Sequence, residues 1–275
     1  MTGDKDERER SIAEHYDRVA DRYRHMKQSP ERIIERIKPI PGTRILDVGC
    51  GTGNLTFEIV RALAPSVIVG IDISEAELRI ANEIKTELGI DTVSFQRASA
   101  TALPFEPESF DVVTSNMVFH LLDDQKTALS EALRVLKPGG VALLQFQGQR
   151  EPAQEYFALL RDAWAEVLRE RPFPRLFYRP SVGEIDEWMK ALGVERFDVN
   201  WKGNTVYLNE TQIAAFRDWI DLVSGYWRSG LAAVVVAEIE HRLDTLVEDH
   251  FRQSSRFRLT GSVVLLEMIK NTPGM

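Results

Sequence analysis

Ten residues, Ile45-Leu-Asp-Val-Gly-Cys-Gly-Thr-Gly-Asn54, constrain this chain more than any other stretch. A mostly aliphatic run from Arg44 to Val48 enters glycines at 49, 51 and 53, and an amphipathic pattern (Leu55, Ile59, Val60, Leu63) leaves them. That order reads as strand, tight loop, helix. Glycines spaced G-x-G-x-G let a backbone turn sharply and approach a ligand with no Cβ in the way. The dinucleotide fingerprint G-x-G-x-x-G would need glycine at 54, where this chain has Asn54, so a nicotinamide-dependent dehydrogenase is disfavoured. Asp47, two residues before the first glycine, suits a ligand with an ammonium group better than a pyrophosphate.

The alternation continues downstream. Residues 67–71 are a continuous apolar run, the pattern of a strand buried on both faces, ending at Asp72. Ser74 is placed to cap a helix reaching Leu88, with Gly89 as its stop. Residues 93–96 and 110–114 read as two further strands. A helix over 124–136 carries Leu129, Ala132, Leu133 and Leu136 on one face, and Lys137-Pro-Gly-Gly140 reads as a turn before a fifth strand at 141–146. Strands alternating with helices in this way predict an α/β fold with a parallel sheet and right-handed crossovers. Upstream, Ile12, Tyr16, Val19, Ala20 and Tyr23 share one helix face, and a second helix is expected over 31–38, stopping before Pro39 and Pro41. Further helices are expected at 152–170, 182–192, 210–227 and 231–250, and strands at 196–201 and 262–269.

The string 45–54 resembles motif I of the class I S-adenosylmethionine-dependent methyltransferases, and the resemblance extends over 40–147. It implies a Rossmann-like, seven-stranded, mostly parallel sheet with an antiparallel last strand and a helical cap inserted before it. Residues 1–40 would be an N-terminal helical lid, 41–150 the cofactor-binding core, and 151–275 the cap with the last two strands. The implied cofactor is S-adenosylmethionine, leaving as S-adenosylhomocysteine. Gly49, Cys50, Gly51 and Gly53 would hold its methionine carboxylate through backbone N–H groups and the following helix N-terminus, with Asp47 near the ammonium. Cys50 itself reads as a small filler, not a nucleophile. Asp72, with Ile73 beside it, would accept hydrogen bonds from both ribose hydroxyls.

Two further segments carry the resemblance. Arg97-Ala-Ser-Ala-Thr-Ala-Leu-Pro-Phe105 resembles the segment where an acidic residue often meets the adenine amino group. This chain has Ser99 there, which leaves Ser99 Oγ or the backbone around Ala100 for that contact. Asp111-Val-Val-Thr-Ser-Asn-Met-Val-Phe-His120 resembles the fourth strand and the loop behind it, with Asn116 and Met117 at the ligand edge. Tyr16-Asp-Arg-Val-Ala-Asp-Arg-Tyr23 resembles the N-terminal lid of small-molecule members. Tyr16 and Tyr23 would attract a sulfonium through ring face or phenol oxygen, or simply pack the helix.

The expected activity is methyl transfer to a small-molecule acceptor. His120 and Tyr16 are the catalytic candidates, with His120 read either as a general base or as a loop-ordering residue. A carboxylate acceptor needs no base because it is an anion at pH 7; an alcohol, phenol or carbon acid does need one. Residues 169–180 hold four arginines and one acid among aromatics, which fits a grip on an anionic acceptor or a solvated, salt-bridged loop. The long insertion before the last strand resembles carboxyl O-methyltransferases. Carbon or oxygen methylation of a quinone-like or secondary metabolite competes with that reading, and a regulatory protein that binds S-adenosylmethionine without transferring its methyl is the alternative of another class.

Composition bounds the partners. A net charge of −8 over 275 residues argues against a nucleic-acid binder. One cysteine excludes an internal disulfide and a thiol-ligated zinc, and the histidines show no metal-ligand spacing, so no metal is expected. No apolar run approaches the ~18 residues of a membrane span, so no membrane partner is expected. The first ten residues are charged, not apolar, and the expected location is the cytoplasm. The oligomeric state is not legible.

Overall fold

The computed structural model describes residues 2–24, 30–38, 42–63, 67–148, 155–174, 176–254 and 256–272. Seven strands form one sheet: β1 (Arg44–Val48), β2 (Val67–Asp72), β3 (Val93–Arg97), β4 (Phe110–Asn116), β5 (Leu136–Gly148), β6 (Arg196–Leu208) and β7 (Phe257–Ile269). Their order is β3-β2-β1-β4-β5-β7-β6, and the pairs within β3 to β5 are parallel. β7 runs the other way. The Gly139 N–H donates to Lys270 O and the Lys270 N–H to Gly140 O, so the start of β5 faces the end of β7. The described helices are α1 (Thr2–Tyr23), α2 (Glu31–Ile34), α3 (Asn54–Leu63), α4 (Glu75–Leu88), α5 (Gln125–Val135), α6 (Glu155–Leu168), α7 (Val182–Ala191), α8 (Glu210–Ser224) and α9 (Ala233–Gln253). The expected mostly parallel α/β sheet with its antiparallel last strand is therefore present.

Side-chain alternation along the strands builds two apolar layers. Ile45, Ile68, Val112, Leu143 and Leu265 pack with Ile59 of α3 and Ile33 of α2. Their neighbours Leu46, Val113, Leu144, Val264 and Leu266 pack with Leu129 of α5 and Met189 of α7. The order reverses between β1 and β4, and a ligand crevice lies outside the carboxyl ends of the strands at such a switch point.

The chain divides into two compact units, one of residues 1–148, 178–202 and 263–275, the other of 149–177 and 203–262. The second unit is built on α6, α8 and α9, with Leu160 and Trp164, Ile213 and Ile220, and Ile239 and Leu243 buried.

Four elements differ from the sequence reading: β6 and β7 run longer than the expected 196–201 and 262–269, and α2 and the opening of β5 also depart from it. α2 ends at Ile34, and the chain continues with the Arg36 N–H on Ile33 O and the Ile37 N–H on Ile34 O. These tighter i to i−3 bonds close the helix end early. Lys137-Pro-Gly-Gly140 is not a free turn but the opening of β5. It bulges where the β4 register jumps between Phe110↔Leu136 and Val112↔Val141, and it is held by β7. Proline and a left-handed Gly139 (φ 77°) mark a turn in sequence and a bulge in a sheet equally well.

Candidate active site

β1 delivers Asp47 to the carboxyl edge, and the glycine loop follows. Gly49, Gly51 and Gly53 all have left-handed backbone (φ 69°, 53° and 87°), the region that glycine enters without steric cost. The loop is stitched to β2: the Gly49 and Cys50 N–H groups both donate to Ile71 O, at 2.8 and 2.9 Å. The Gly51 N–H donates to Asp72 Oδ2 at 2.9 Å, and the Gly53 N–H to Cys50 O at 2.9 Å. These donors are thus already engaged. The N–H groups that a helix leaves open in its first turn, from Asn54 onward in α3, are the ones available to an anion.

Asp47 is 1 % exposed. Its carboxylate accepts from Thr56 Oγ1 of α3 at 2.6 Å and from Thr114 Oγ1 of β4 at 3.1 Å. Burial pushes its pKa up to about 6 against the pull of those two hydroxyls, and the charge of Asp72 adds to the push. A folded pKa above the unfolded 3.8 means stability that is full below that value and lost as pH rises through about 6. Asp47→Asn removes the ionisation, and its amide can still bond both threonines. The variant is expected to gain on the wild type by about 2–3 kcal/mol between pH 4 and pH 7.5. Urea midpoints measured at both pH values check this; an unchanged difference would remove the burial argument.

Asp72, half-buried at the end of β2, accepts the Gly51 N–H and, through Oδ1, the Ser74 N–H at 2.9 Å. Burial raises its pKa, opposed by those backbone donors and that of Ile73. A carboxylate has about four acceptor positions, so two remain for hydroxyls of a ligand. Ile73 O takes the Arg97 Nε–H at 3.2 Å. Ser74 caps α4 as expected, its Oγ accepting from the Glu77 N–H, and Gly89 closes that helix in the left-handed region.

α1 lies against α4 and reaches several of these groups. Asp17 Oδ1 accepts from Ser74 Oγ at 2.6 Å and from the Ala76 N–H at 3.0 Å. The Tyr16 and Tyr23 rings meet edge to face, 5.5 Å between centroids, with Tyr23 buried. Ser99 Oγ donates to Glu9 Oε2 of α1 at 3.2 Å, and the buried Ala100 follows. An acid from another element thus lies beside Ser99.

At the end of β4, Asn116 Oδ1 accepts from Gln145 Nε2 at 2.9 Å, and Met117 takes a left-handed conformation (φ 61°) with its N–H on Gln145 O. A non-glycine residue held there costs of order 1–3 kcal/mol and clusters at functional sites. The turn sets Val118 against the glycine loop. His120 is 4 % exposed, and its Nδ1 accepts from the Gln147 N–H at 3.5 Å. Burial, then the Arg179 charge, lowers its pKa to about 3. Arg179 donates to Gln147 Oε1 through Nε and Nη2, at 3.1 and 2.8 Å. The arginine-rich segment is divided between the units: Arg179 belongs to the first, whereas Arg171 belongs to the second and donates to Gly230 O. Arg175 lies outside the described residues. Cys50 is buried, and burial followed by the charge of Asp72 pushes its thiol well up, which fits a filler.

Thr56, Thr114, Asp17, Glu9 and Glu77 are the residues that sequence reasoning missed. A hydroxyl one turn into the inward face of α3 was the only signal for any of them. No group of His, Cys, Asp or Glu among the described residues could hold a metal. No described helix is long and apolar enough to cross a membrane. The second unit has a cavity of about 300 Å³ lined by Tyr156, Arg217, Asp221, Arg228, Glu240 and Asp244. Its arginines are already paired, Arg228 with Asp221 and Glu240 and Arg217 with Asp244.

The methyltransferase domain family matches residues 40–167. Residues 40–167 belong to a methyltransferase domain. Its members depend on S-adenosylmethionine. The chain is 41% identical over 110 residues to a demethylmenaquinone methyltransferase of Lactococcus lactis, covering 40% of this chain and 44% of the relative. It is 34% identical over 137 residues to that of Geobacillus stearothermophilus, covering 48% and 58%. The chain thus spans about half the length of the curated relatives it matches. Its fold is that of the YcgJ protein of Bacillus subtilis (TM-score 0.60, 21% identity, 88% and 97% of the two chains). It also matches a Haemonchus contortus phosphoethanolamine N-methyltransferase in complex with S-adenosylhomocysteine (TM-score 0.61, 19% identity, 95% and 60%). The domain's residues fit the cofactor: Asp47, Asp72 and Glu77 gather around the glycine loop with no cationic side chain paired to them among the described residues, which suits a ligand carrying positive charge.

Proposed function

We propose that the protein transfers the methyl group of S-adenosylmethionine to a small molecule whose accepting atom is an oxygen already anionic at neutral pH, a carboxylate above all. The cofactor supplies a methyl group on a sulfonium, which needs no metal to leave as the neutral thioether when an acceptor electron pair takes the methyl. The residues of the chain hold and align. Asp72, with Ile73 beside it, receives the ribose; Asp47 faces the ammonium through its threonine-bound carboxylate; Gly49, Cys50, Gly51 and Gly53 shape the loop; and the first turn of α3 receives the methionine carboxylate. Ser99, Ala100 and Glu9 border the base, Asn116 and Met117 line the transfer edge, and Tyr16 and Tyr23 close the site from α1 and exclude water.

The observation that carries the acceptor class is the burial of His120, 4 % exposed and within reach of the Arg179 charge. An imidazole whose conjugate acid has a pKa of about 3 is too weak to take a proton from an alcohol or carbon acid at neutral pH. Burial pushes the Tyr23 phenol far the other way. With neither His120 nor Tyr23 poised near 7, an acceptor that needs no base fits best, and Arg179 beside His120 is the cation that would face its charge. His120 then serves as a neutral, loop-ordering group.

Incubation with methyl-labelled S-adenosylmethionine and a panel of aliphatic carboxylic acids tests the reading. The label is expected in a product that mild alkali releases as methanol, with kcat flat from pH 6 to 8. An inflection near 6.5 that disappears in His120→Asn would establish a base and remove the argument. The relatives' names favour a second reading, a quinone-like acceptor. An alkali-stable methyl on a quinol analogue, with no labelling of acids, would decide for it.

A further inference from the structure

Glu77 is the third residue of α4, where a first-turn acid ordinarily sits in solvent and favours the helix dipole. Here it is 4 % exposed and turned inward. Its Oε2 lies 3.1 Å from the point that a Cβ on Gly51 would occupy, so the carboxyl reaches over the glycine loop itself. Each element around it presents an acid or a neutral group: Asp72 from the end of β2, Asp17 and Tyr23 from α1, and Cys50 from the loop. Arg22 acts on Tyr23 from the same helix. Among the described residues neither a hydrogen-bond donor nor a cation meets the Glu77 carboxyl.

A buried carboxyl in such surroundings has two ways to avoid the cost of an unpaired charge: it keeps its proton, or a cation arrives. The donor carries two positive groups, a sulfonium and an ammonium, whereas the demethylated product keeps only the ammonium. We propose that Glu77 discriminates between them, favouring the sulfonium-bearing donor over its neutral thioether product and releasing its proton as the donor enters. The inference rests on the glycine loop being the donor site. It gives the site a means of expelling product, because loss of the methyl cation leaves Glu77 ionised among Asp72 and Asp17 until it regains a proton. Donor affinity therefore rises with pH through the ionisation of Glu77, and product affinity rises less.

Titration calorimetry of the full chain with S-adenosylmethionine and with S-adenosylhomocysteine, in two buffers of different ionisation enthalpy, tests this. In Glu77→Gln the donor is expected to bind at least about tenfold more weakly and the product less than about threefold more weakly, since the carboxylate's attraction for the sulfonium charge is lost and the product has no such charge. The wild type is expected to release more proton with the donor than with the product, and the variant to release equal amounts. Glu77→Met, neutral and of similar length, gives the same comparison if the glutamine variant does not fold. A donor-to-product affinity ratio unchanged in the variant, or equal proton release from the wild type, overturns the inference while leaving the donor site intact. A wild type that binds neither compound overturns the donor-site reading and this inference with it.

Discussion

Asp72→Ala is expected to weaken binding of S-adenosylmethionine by at least about 100-fold, from the loss of charge-assisted bonds of about 1.5–3 kcal/mol each. The size follows from the double use of this side chain. Its two oxygens hold the Gly51 and Ser74 N–H groups at 2.9 Å, and its remaining acceptor positions are the ones assigned to the ribose. Alanine therefore removes the sugar contact and also frees the loop from the start of α4. Asp72→Asn separates the two: one oxygen can still accept a backbone N–H, but an amide NH₂ opposes the other. It is expected to bind between wild type and alanine. Calorimetry on protein with native circular dichroism checks both, and a dissociation constant unchanged in Asp72→Ala would end the ribose assignment.

Gly49→Ala is expected to lower the unfolding free energy by about 3 kcal/mol. At φ 69° a side chain carries a left-handed penalty, and the added Cβ would lie 2.3 Å from Val118 Cγ2 and 2.8 Å from Cγ1. The conformational part is about 1–2 kcal/mol and overpacking about 1–3 kcal/mol. Val118 is half-buried and follows the left-handed Met117, which aims it at the loop. The double variant Gly49→Ala, Val118→Ala should recover the steric part and keep the conformational part. Denaturant midpoints measure all three proteins. A single variant within about 0.5 kcal/mol of wild type would mean that the β4 loop does not press on the glycine turn.

Local pattern made the elements around the candidate donor site readable. The apolar run into Asp47, the three glycines, and Asp72 closing β2 with Ser74 as cap and Gly89 as stop each depend on residues a few positions apart, and the structure has each element there. Lys137-Pro-Gly-Gly140 was misread because its partner, Lys270, is 130 positions away from Gly140. The arginines of 169–180 look like one basic cluster in sequence, yet Arg171 and Arg179 fall in different units. The acids that α1 and α4 bring to the loop were the least legible. Glu77 has the sequence context of an exposed first-turn acid, and Asp17 that of a solvent-facing residue on α1.

The sequence by itself determined the order of strands and helices, the left-handed loop and the carboxylates that end β1 and β2, because periodicity, capping and glycine torsions are short-range effects. Tertiary structure alone decided which side chains surround that loop. Asp17 reaches Ser74 across 57 positions, Glu9 reaches Ser99 across 90, and Thr114 reaches Asp47 across 67. Charge and burial depend on distance in space, so the proton affinities of Asp47, Glu77 and His120 came into being only when α1, α4 and β4 closed around them.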